Sequence, residues 1–186
     1  PMKRETTRTD HLLPLVKKEA EITAGKVIVS AKGTHGLETT GSAAGAKDAG
    51  TTGIGSGIAV NVSSADVTAG IQDGTGINGN IGSIKVTAEN KTNDQMTAKA
   101  GARGETGVTP VIGVDVFGSS ASAYLGNAKG AALNAKAVEV TASNTASHSM
   151  TADASTGGGS VALGGAFAVT VLHDNAIARL SKSISN

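Results

Sequence analysis

The sequence predicts an all-β fold, a right-handed parallel β-helix (solenoid) of about six coils with roughly 27 residues in each coil. Three observations predict it: a long internal repeat, short strands of alternating apolar and polar residues, and a composition rich in small residues. A fixed long period is typical of solenoids, in which each repeat packs only against its neighbours. The right hand follows from the general preference of parallel crossover connections.

The repeat is clearest between residues 84 and 180, where two copies lie 54 residues apart. Ile-Lys-Val-Thr-Ala-Glu-Asn at 84–90 corresponds to Val-Glu-Val-Thr-Ala-Ser-Asn at 138–144, and a more divergent copy begins at Lys26. Segments within one unit are related in pairs at spacings of 28 and 26 residues, so we interpret each unit as two coils. The approximate units are residues 26–83, 84–137 and 138–186.

Alternation within the strands predicts which side chains are buried. At 112–116 three apolar residues alternate with Gly113 and Asp115. Successive side chains of a strand point to opposite faces, so we expect the apolar set inside and Asp115 in water. The same pattern recurs in the other copies. The expected interior residues are Ile112, Val114 and Val116; Ile58, Val60 and Val62, with Asn61 outside; and Phe167, Val169 and Val171, with Thr170 outside.

A recurring corner is expected six residues after the start of each Val-x-Val strand. Five of the six residues there are glycine or types enriched at positive φ, which favours a left-handed turn. The alternative is that Gly and Asn are common in any loop. The positions are Gly33, Ser64, Asn90, Gly118, Asn144 and His173. The glycines at 53, 55, 57 and 157–159 are likewise expected where tight corners need unusual backbone angles.

Composition narrows the choice of fold and of function. Aromatic residues make up 2% of the chain, too few for the thick core of a sandwich, whereas a narrow solenoid closes on stacked Val, Ile, Ala and Leu. The absence of cysteine excludes disulfides and thiolate metal sites. A net charge of +1 with both signs scattered gives no basic footprint for nucleic acid. No segment approaches the roughly 20 apolar residues of a membrane-spanning helix.

The first 25 residues do not match the repeat, and two interpretations stay open for them: a cap over the first coil or a flexible tail. In the first, Asp10 caps a short helix that runs to Ile22, with Pro14 near its first turn. Residues 26–186 are the predicted solenoid domain. The last strand is expected to end near Leu180, and both chain ends suggest a piece of a longer array.

The residues that carry the repeat also carry a family resemblance. They are Val-x-Val-Thr-Ala-x-Asn, Met-Thr-Ala-x-Ala at 96–100 and 150–154, and Gly-Gly-Ala-Phe-Ala-Val-Thr-Val at 164–171, followed by Asn175 and Ala178. Over roughly residues 26–180 the chain resembles repeats of large secreted filamentous adhesins of bacteria, of the leukotoxin and filamentous-haemagglutinin types. The resemblance implies a right-handed parallel β-helix, export to the cell surface, and a stalk or adhesive role. It brings no active-site residues.

Candidate binding chemistry is sparse, and the sequence predicts no catalytic, cofactor or metal residues. Residues 72–80, which run from Gln72 through Asp73 to Asn80, have oxygen ligands on alternate residues, as in calcium-binding turns, but lack the full EF-hand spacing. A solvated loop is the favoured interpretation, with calcium binding between Asp73 and Asn80 left open. The histidines share no repeat position, which argues against a histidine metal cluster. They are His11, His35, His148 and His173.

Two functions from different classes follow. The favoured one is a non-enzymatic structural and adhesive segment at the bacterial cell surface, whose partner is a host cell or matrix component or another copy joined end to end. The alternative is a polysaccharide lyase or hydrolase, with an outward column of Lys85, Asp115 and Glu139 and Tyr124 as one of few aromatic platforms. Ice binding is disfavoured, because the outward threonines form no regular array. They are Thr87, Thr141 and Thr170.

Overall fold

The computed structural model describes residues 2–17, 20–44, 51–78, 80–127, 133–181 and 184–185. Over these residues the chain forms β-strands and no helix, which confirms the all-β prediction. The strands are β1 (Met2–Leu12), β2 (Leu15–Val16), β3 (Glu21–Thr23), β4 (Lys26–Ala44), β5 (Thr52–Ile54), β6 (Gly57–Ile71), β7 (Gly76–Asn78), β8 (Ser83–Leu125), β9 (Leu133–Asn134), β10 (Val138–Leu180) and β11 (Ile184–Ser185).

The strands pair in parallel, and the pairing joins equivalent positions of successive repeats. In the largest sheet, of seven strands, β8 lies between β10 on one side and β4, β5 and β6 on the other. Ile84 lies opposite Val27 and Val138, and Ile112 lies opposite Ile58 and Phe167. The repeat predicted from the sequence is therefore the unit that stacks.

The length of one turn differs from the prediction. Coils of 27 residues would bring Ile84 beside Ile112, but their hydrogen-bonded neighbours come from the preceding and following repeats. One turn thus takes the whole 54-residue unit, and the division of that unit into two coils is wrong. The half-units are related because they form the two opposing halves of one turn, not because one stacks on the other.

The sheet is curled, so that the two halves of β8 face each other across the interior. Side-chain hydrogen bonds join the halves: the Asn90 amide donates to Ser119 Oγ at 3.1 Å and to the carbonyl oxygen of Ser120 at 3.1 Å. It also donates to the Ala65 carbonyl oxygen of the preceding turn at 2.9 Å. The two halves of β8, which follow each other along the chain, therefore form opposite walls of the core.

The core divides into two apolar clusters at the two ends of these walls. The larger cluster includes Val67, Ile71, Ile84, Val86 and Leu125, all almost fully buried. The smaller cluster consists of Ala59, Met96, Ala98, Ala100 and Val111. Its alanines let the walls approach closely. Buried polar residues lie in the stretch between the clusters.

The predicted inside and outside of one wall are reversed. Asn61 and Asp115 are 0% and 1% exposed, whereas Val62, Ile112 and Val116 are 41%, 42% and 37% exposed. The reason is parity. β6 runs without interruption from 57 to 71, and alternation is strictly period two, so Val62 and Val67 cannot share a face. The larger cluster takes Val67, Ala69 and Ile71, and Ile58, Val60 and Val62 are left outside. Likewise Thr170, predicted outside, shares its register position with Asp115, and Phe167 and Val171 are exposed.

The predicted left-handed corners are absent from the described residues. Positions 33, 64, 90, 118, 144 and 173 lie inside continuous strands, and among the described glycines only Gly74 has a positive φ, of 80°. Gly53 and Gly55 serve a different need. A Cβ on either one would overlap a backbone carbonyl oxygen of the facing wall, that of Arg103 or Gly101. These glycines allow the two walls to meet.

The N-terminal segment joins the sheet. β1 pairs in parallel with β6, with Met2 opposite Gly57 and Leu12 opposite Val67, while β2 and β3 pair with β6 and β7. The helix predicted between Asp10 and Ile22 is therefore wrong. β10 ends at Leu180, where the last strand was predicted to end, but β11 follows it and pairs with β9.

Candidate functional site

A cluster of three polar side chains lies in the interior at mid-height of the walls. Asn61 on β6, Asp115 on the second half of β8 and Asp94 on the first half meet there. The Asn61 amide nitrogen donates to Asp115 Oδ1 at 2.8 Å and to Asp94 Oδ2 at 3.1 Å. All three residues are at most 1% exposed. One amide thus holds two carboxyl groups from opposite walls; we call these residues the carboxyl cluster.

Burial of two carboxyl groups side by side in the carboxyl cluster changes their electrostatics. Burial, followed by the charge of Asp115, raises the pKa of Asp94 to about 7, because a buried carboxylate loses its hydration and like charges repel. Hydrogen bonds from Asn61 and from the backbone of Gln95 oppose this shift. Asp115 Oδ2 and Asn61 Oδ1 have no hydrogen-bond partner in the described structure. A proton held on Asp94 removes one of the two buried negative charges and so lowers the cost of burial.

Polar and aromatic groups of the next turn lie beside the carboxyl cluster. His148 occupies the register position of Asp94 on β10. Its ring contacts Phe117 edge-on, with centroids 4.6 Å apart, and its Nε2 lies 3.7 Å from Asp174 Oδ2. The His148 side chain is only about 10% exposed.

The predicted catalytic column does not assemble. Lys85 and Glu139 are neighbours on the outer side of the first wall, with Nζ and Oε1 2.8 Å apart, and hydrogen bonding to Lys85 lowers the pKa of Glu139. Asp115, predicted beside Lys85, faces the interior instead. The carboxyl cluster is closed to solvent, so a polysaccharide chain could not reach it. Neither arrangement supplies an accessible pair of carboxyl groups, which glycoside hydrolysis requires.

The described residues contain no group of three or more His, Asp or Glu side chains placed to hold a metal ion. In the predicted calcium loop, Asp73 Oδ1 accepts a hydrogen bond from the Asn127 backbone nitrogen at 2.6 Å, and Asn80 Oδ1 accepts one from Asn134 at 2.7 Å. The loop oxygens therefore bond to the next turn instead of converging on a point. Of the other histidines, His173 is exposed, and the His11 side chain lies outside the described residues.

A groove of about 570 Å³ opens beside this loop. Tyr124 and Arg179 lie next to each other in register on its wall, and the Tyr124 ring covers Gly70, where a Cβ would collide with it. The other polar residues of the lining are Gln72, Asp73, Ser122 and Ser181. One aromatic ring with a guanidinium beside it offers a shallow surface contact.

The outer side of the second wall is apolar, and sequence reasoning missed it because it placed these residues inside. Four apolar columns run across the turns, with no charged residue among them. We call this surface the outer apolar face. Its members are Ile54, Val108 and Leu163; Ile58, Ile112 and Phe167; Val60, Val114 and Val169; and Val62, Val116 and Val171. The signal was present in the sequence as the change of apolar parity between Val62 and Val67.

The outer side of the first wall has the opposite character. Apart from Ile28, most of its exposed residues carry a charge, a hydroxyl or an amide, with Lys32 and Glu89 3.1 Å apart and Thr87 next to Thr141 in register. The predicted outward orientation of Thr141 is confirmed. We call this surface the outer polar face. One molecule thus carries two outer faces of opposite chemistry.

No protein-family model, no curated protein and no solved structure matches the chain. The resemblance to filamentous adhesins therefore stays a prediction. Within the described residues there is no helix with the length and apolar character needed to cross a membrane.

Proposed function

We propose that the chain is a non-enzymatic structural and adhesive segment of a large secreted bacterial surface protein, acting as part of a stalk or passenger domain. The observation that supports this proposal is the register of β4, β8 and β10. Val27, Ile84 and Val138 lie side by side, as do the residues that follow them, so three repeats stack on one another. Stability in such a stack is nearly additive, which allows an array to be extended turn by turn.

The dimensions of a turn support a broad, flattened stalk. Each turn adds about 4.8 Å along the stacking axis, while a strand advances roughly 3.3 Å per residue. The walls of about 20 residues are therefore several times wider than the rise of one turn. Such a stack presents two large flat faces to its surroundings.

Adhesion is assigned to the outer polar face. Its exposed Lys, Glu, Thr and Ser side chains are available for hydrogen bonds and ion pairs with a host cell or matrix component. The polysaccharide enzyme is not proposed, because Lys85 and Glu139 are separated from Asp115 by the wall, and the acid pair is buried.

The proposal is tested by labelling the protein with a fluorophore and measuring its binding to host cells and to immobilised matrix proteins. A sugar-release assay on polysaccharides is run beside it. We expect saturable binding and no release of reducing or unsaturated sugars. A charge reversal at Lys91, which is exposed on the outer polar face, should weaken binding. Release of sugars would contradict the proposal. So would binding whose affinity stays unchanged when charged residues across the outer polar face are reversed.

A further inference from the structure

The outer apolar face is at the upper end of what a soluble monomer normally exposes. Seven of its twelve side chains are more than a third exposed, among them Ile54 at 69% and Phe167 at 60%. Taking roughly 150 Å² for each fully exposed side chain, these seven alone offer on the order of 550 Å² of apolar surface. The largest apolar patch on a typical monomer is about 300–600 Å² and is often functional.

The middle of the face cannot be covered by further stacking. Ile112, Val114 and Val116 have a paired strand on both sides, β6 and β10, yet Ile112 and Val116 remain 42% and 37% exposed. Additional turns would add along the hydrogen-bonding direction, whereas these side chains point perpendicular to it. Only something that packs face-on can bury them.

The opposite outer face shows what these positions look like when they face water. There the outward residues on β4, β8 and β10 include Lys32, Lys85, Glu89 and Glu139. The outer apolar face has Val, Ile, Leu or Phe at all twelve positions. In the first turn the residues in register with Ile58 and Val60 are Lys3 and Glu5.

We propose that two copies of this chain pair through their outer apolar faces, each face covering the other in a two-fold symmetric dimer. The area agrees, since a stable interface takes about 800 Å² from each partner. The shape agrees as well, because flat faces of β-branched side chains pack against each other about 10 Å apart, as in β-sandwiches. The columns run through three successive turns, so apolar rows of one copy meet apolar rows of the other over those turns.

Such a dimer is distinct from end-to-end association. A two-fold contact uses the same face on both copies and closes at two, whereas strand edges that pair end to end generate open assemblies. Face pairing also does not depend on adhesion: loss of host binding would leave the dimer intact, and a monomer would leave the adhesive role open.

Sedimentation velocity over a concentration series tests the dimer, with Ile112→Lys on the outer apolar face and Gln95→Lys as the matched control on the outer polar face. Both residues lie on β8 and are exposed, so neither substitution disturbs the core. We expect a reversible dimer for the wild type and for Gln95→Lys. Ile112→Lys should weaken the dimer about 100-fold or more, because it buries a lysine ammonium against apolar side chains.

Cysteine cross-linking provides a second measurement that does not rely on a charged variant. The chain has no cysteine, so a single one reports its own neighbours. Val114→Cys, at the centre of the face, should be joined into covalent dimers by a bis-maleimide whose spacer spans about 10 Å, the separation of packed sheets, and Gln95→Cys should not. A monomer at all concentrations, a dimer lost equally in Gln95→Lys, or a dimer without Val114→Cys cross-links would overturn the proposal. The proposal would also be overturned by a monomer that co-floats with phospholipid vesicles and loses this binding in Ile112→Lys, since the face would then bind lipid.

Discussion

The amide of Asn61 donates a 2.8 Å hydrogen bond to Asp115 Oδ1 in the interior, although the two residues are 54 positions apart. The same nitrogen reaches Asp94 on the opposite wall at 3.1 Å. Asn61 is thus the donor that makes the burial of two carboxyl groups tolerable. A neutral residue in this position is part of the electrostatic balance of the core.

Asn61→Asp is expected to destabilise the protein strongly at neutral pH. The substitution removes the donor and adds a third carboxyl group to a pair that is already sealed from water. Leaving buried charges without a partner costs about 2–4 kcal/mol of unfolding free energy. Urea denaturation of wild type and variant measures this difference.

Asn93→Asp is the matched control, because Asn93 is exposed on the outer side of β8. Its effect should stay within about 0.5 kcal/mol, as for most surface substitutions. Equal losses in the two variants would show that Asn61 does not lie in the interior.

Stability should fall as the pH rises through the weakly acidic range. The folded-state pKa of Asp94 is about 7, compared with 3.8 for the ordinary group. Between these values the folded state holds a proton that the unfolded state releases, so the stabilisation is complete below about pH 4 and is lost as the pH rises through 7. The loss is on the order of 2–4 kcal/mol, from about 1.4 kcal/mol per pKa unit.

Unfolding free energies measured from pH 5 to pH 8 test this dependence. Asp94→Asn should flatten the profile, whereas Asp153→Asn, on an exposed position of β10, should keep the wild-type profile. His148 occupies the register position of Asp94 on the next turn, so the Asp94 variant is needed to assign the effect to Asp94 itself. An unchanged slope in Asp94→Asn would refute the assignment.

The sequence predicted the repeat and its strands better than their stacking or their orientation. The 54-residue repeat is the unit that pairs Ile84 with Val138, whereas the predicted coils of 27 residues would have placed Ile84 beside Ile112. The predicted inward or outward orientation of the side chains was wrong for one reason. The corner expected near Ser64 would have allowed both Ile58–Val60–Val62 and Val67–Ala69–Ile71 to face inward, and the strand runs straight through it. Parity then admits one set only.

The rest of the candidate site could not be predicted from local patterns. Asn61, Asp94 and Asp115 come from three strands, and nothing in a short window indicates that opposite walls bring them together. The apolar residues of the second wall that do not face the interior form the outer apolar face. A small polar residue at an inward position, such as Asn61, looks the same in sequence as one at an outward position. Only the course of the whole strand distinguishes the two.

Two isoleucines on β8 provide a direct test of orientation. Ile84 is 1% exposed in the larger cluster, and Ile112 is exposed on the outer apolar face. Ile84→Ala should lower the unfolding free energy by about 2–5 kcal/mol, because it removes buried methyl groups and leaves a cavity. Ile112→Ala should cost less than about 1 kcal/mol at low protein concentration, where dimers do not contribute. The reverse order would restore the orientation predicted from the sequence.

Gly53→Ala is expected to destabilise the fold although its backbone angle is ordinary. The added Cβ would overlap the carbonyl oxygen of Arg103 on the facing wall, and backbone cannot move aside as a flexible side chain can. Overpacking of this kind costs about 1–3 kcal/mol. Gly36→Ala is the control, because a Cβ there meets nothing within 4 Å. Thermal melting should show a clear loss for Gly53→Ala and none for Gly36→Ala. Equal behaviour of the two variants would mean that the walls are farther apart at this end than the structure places them.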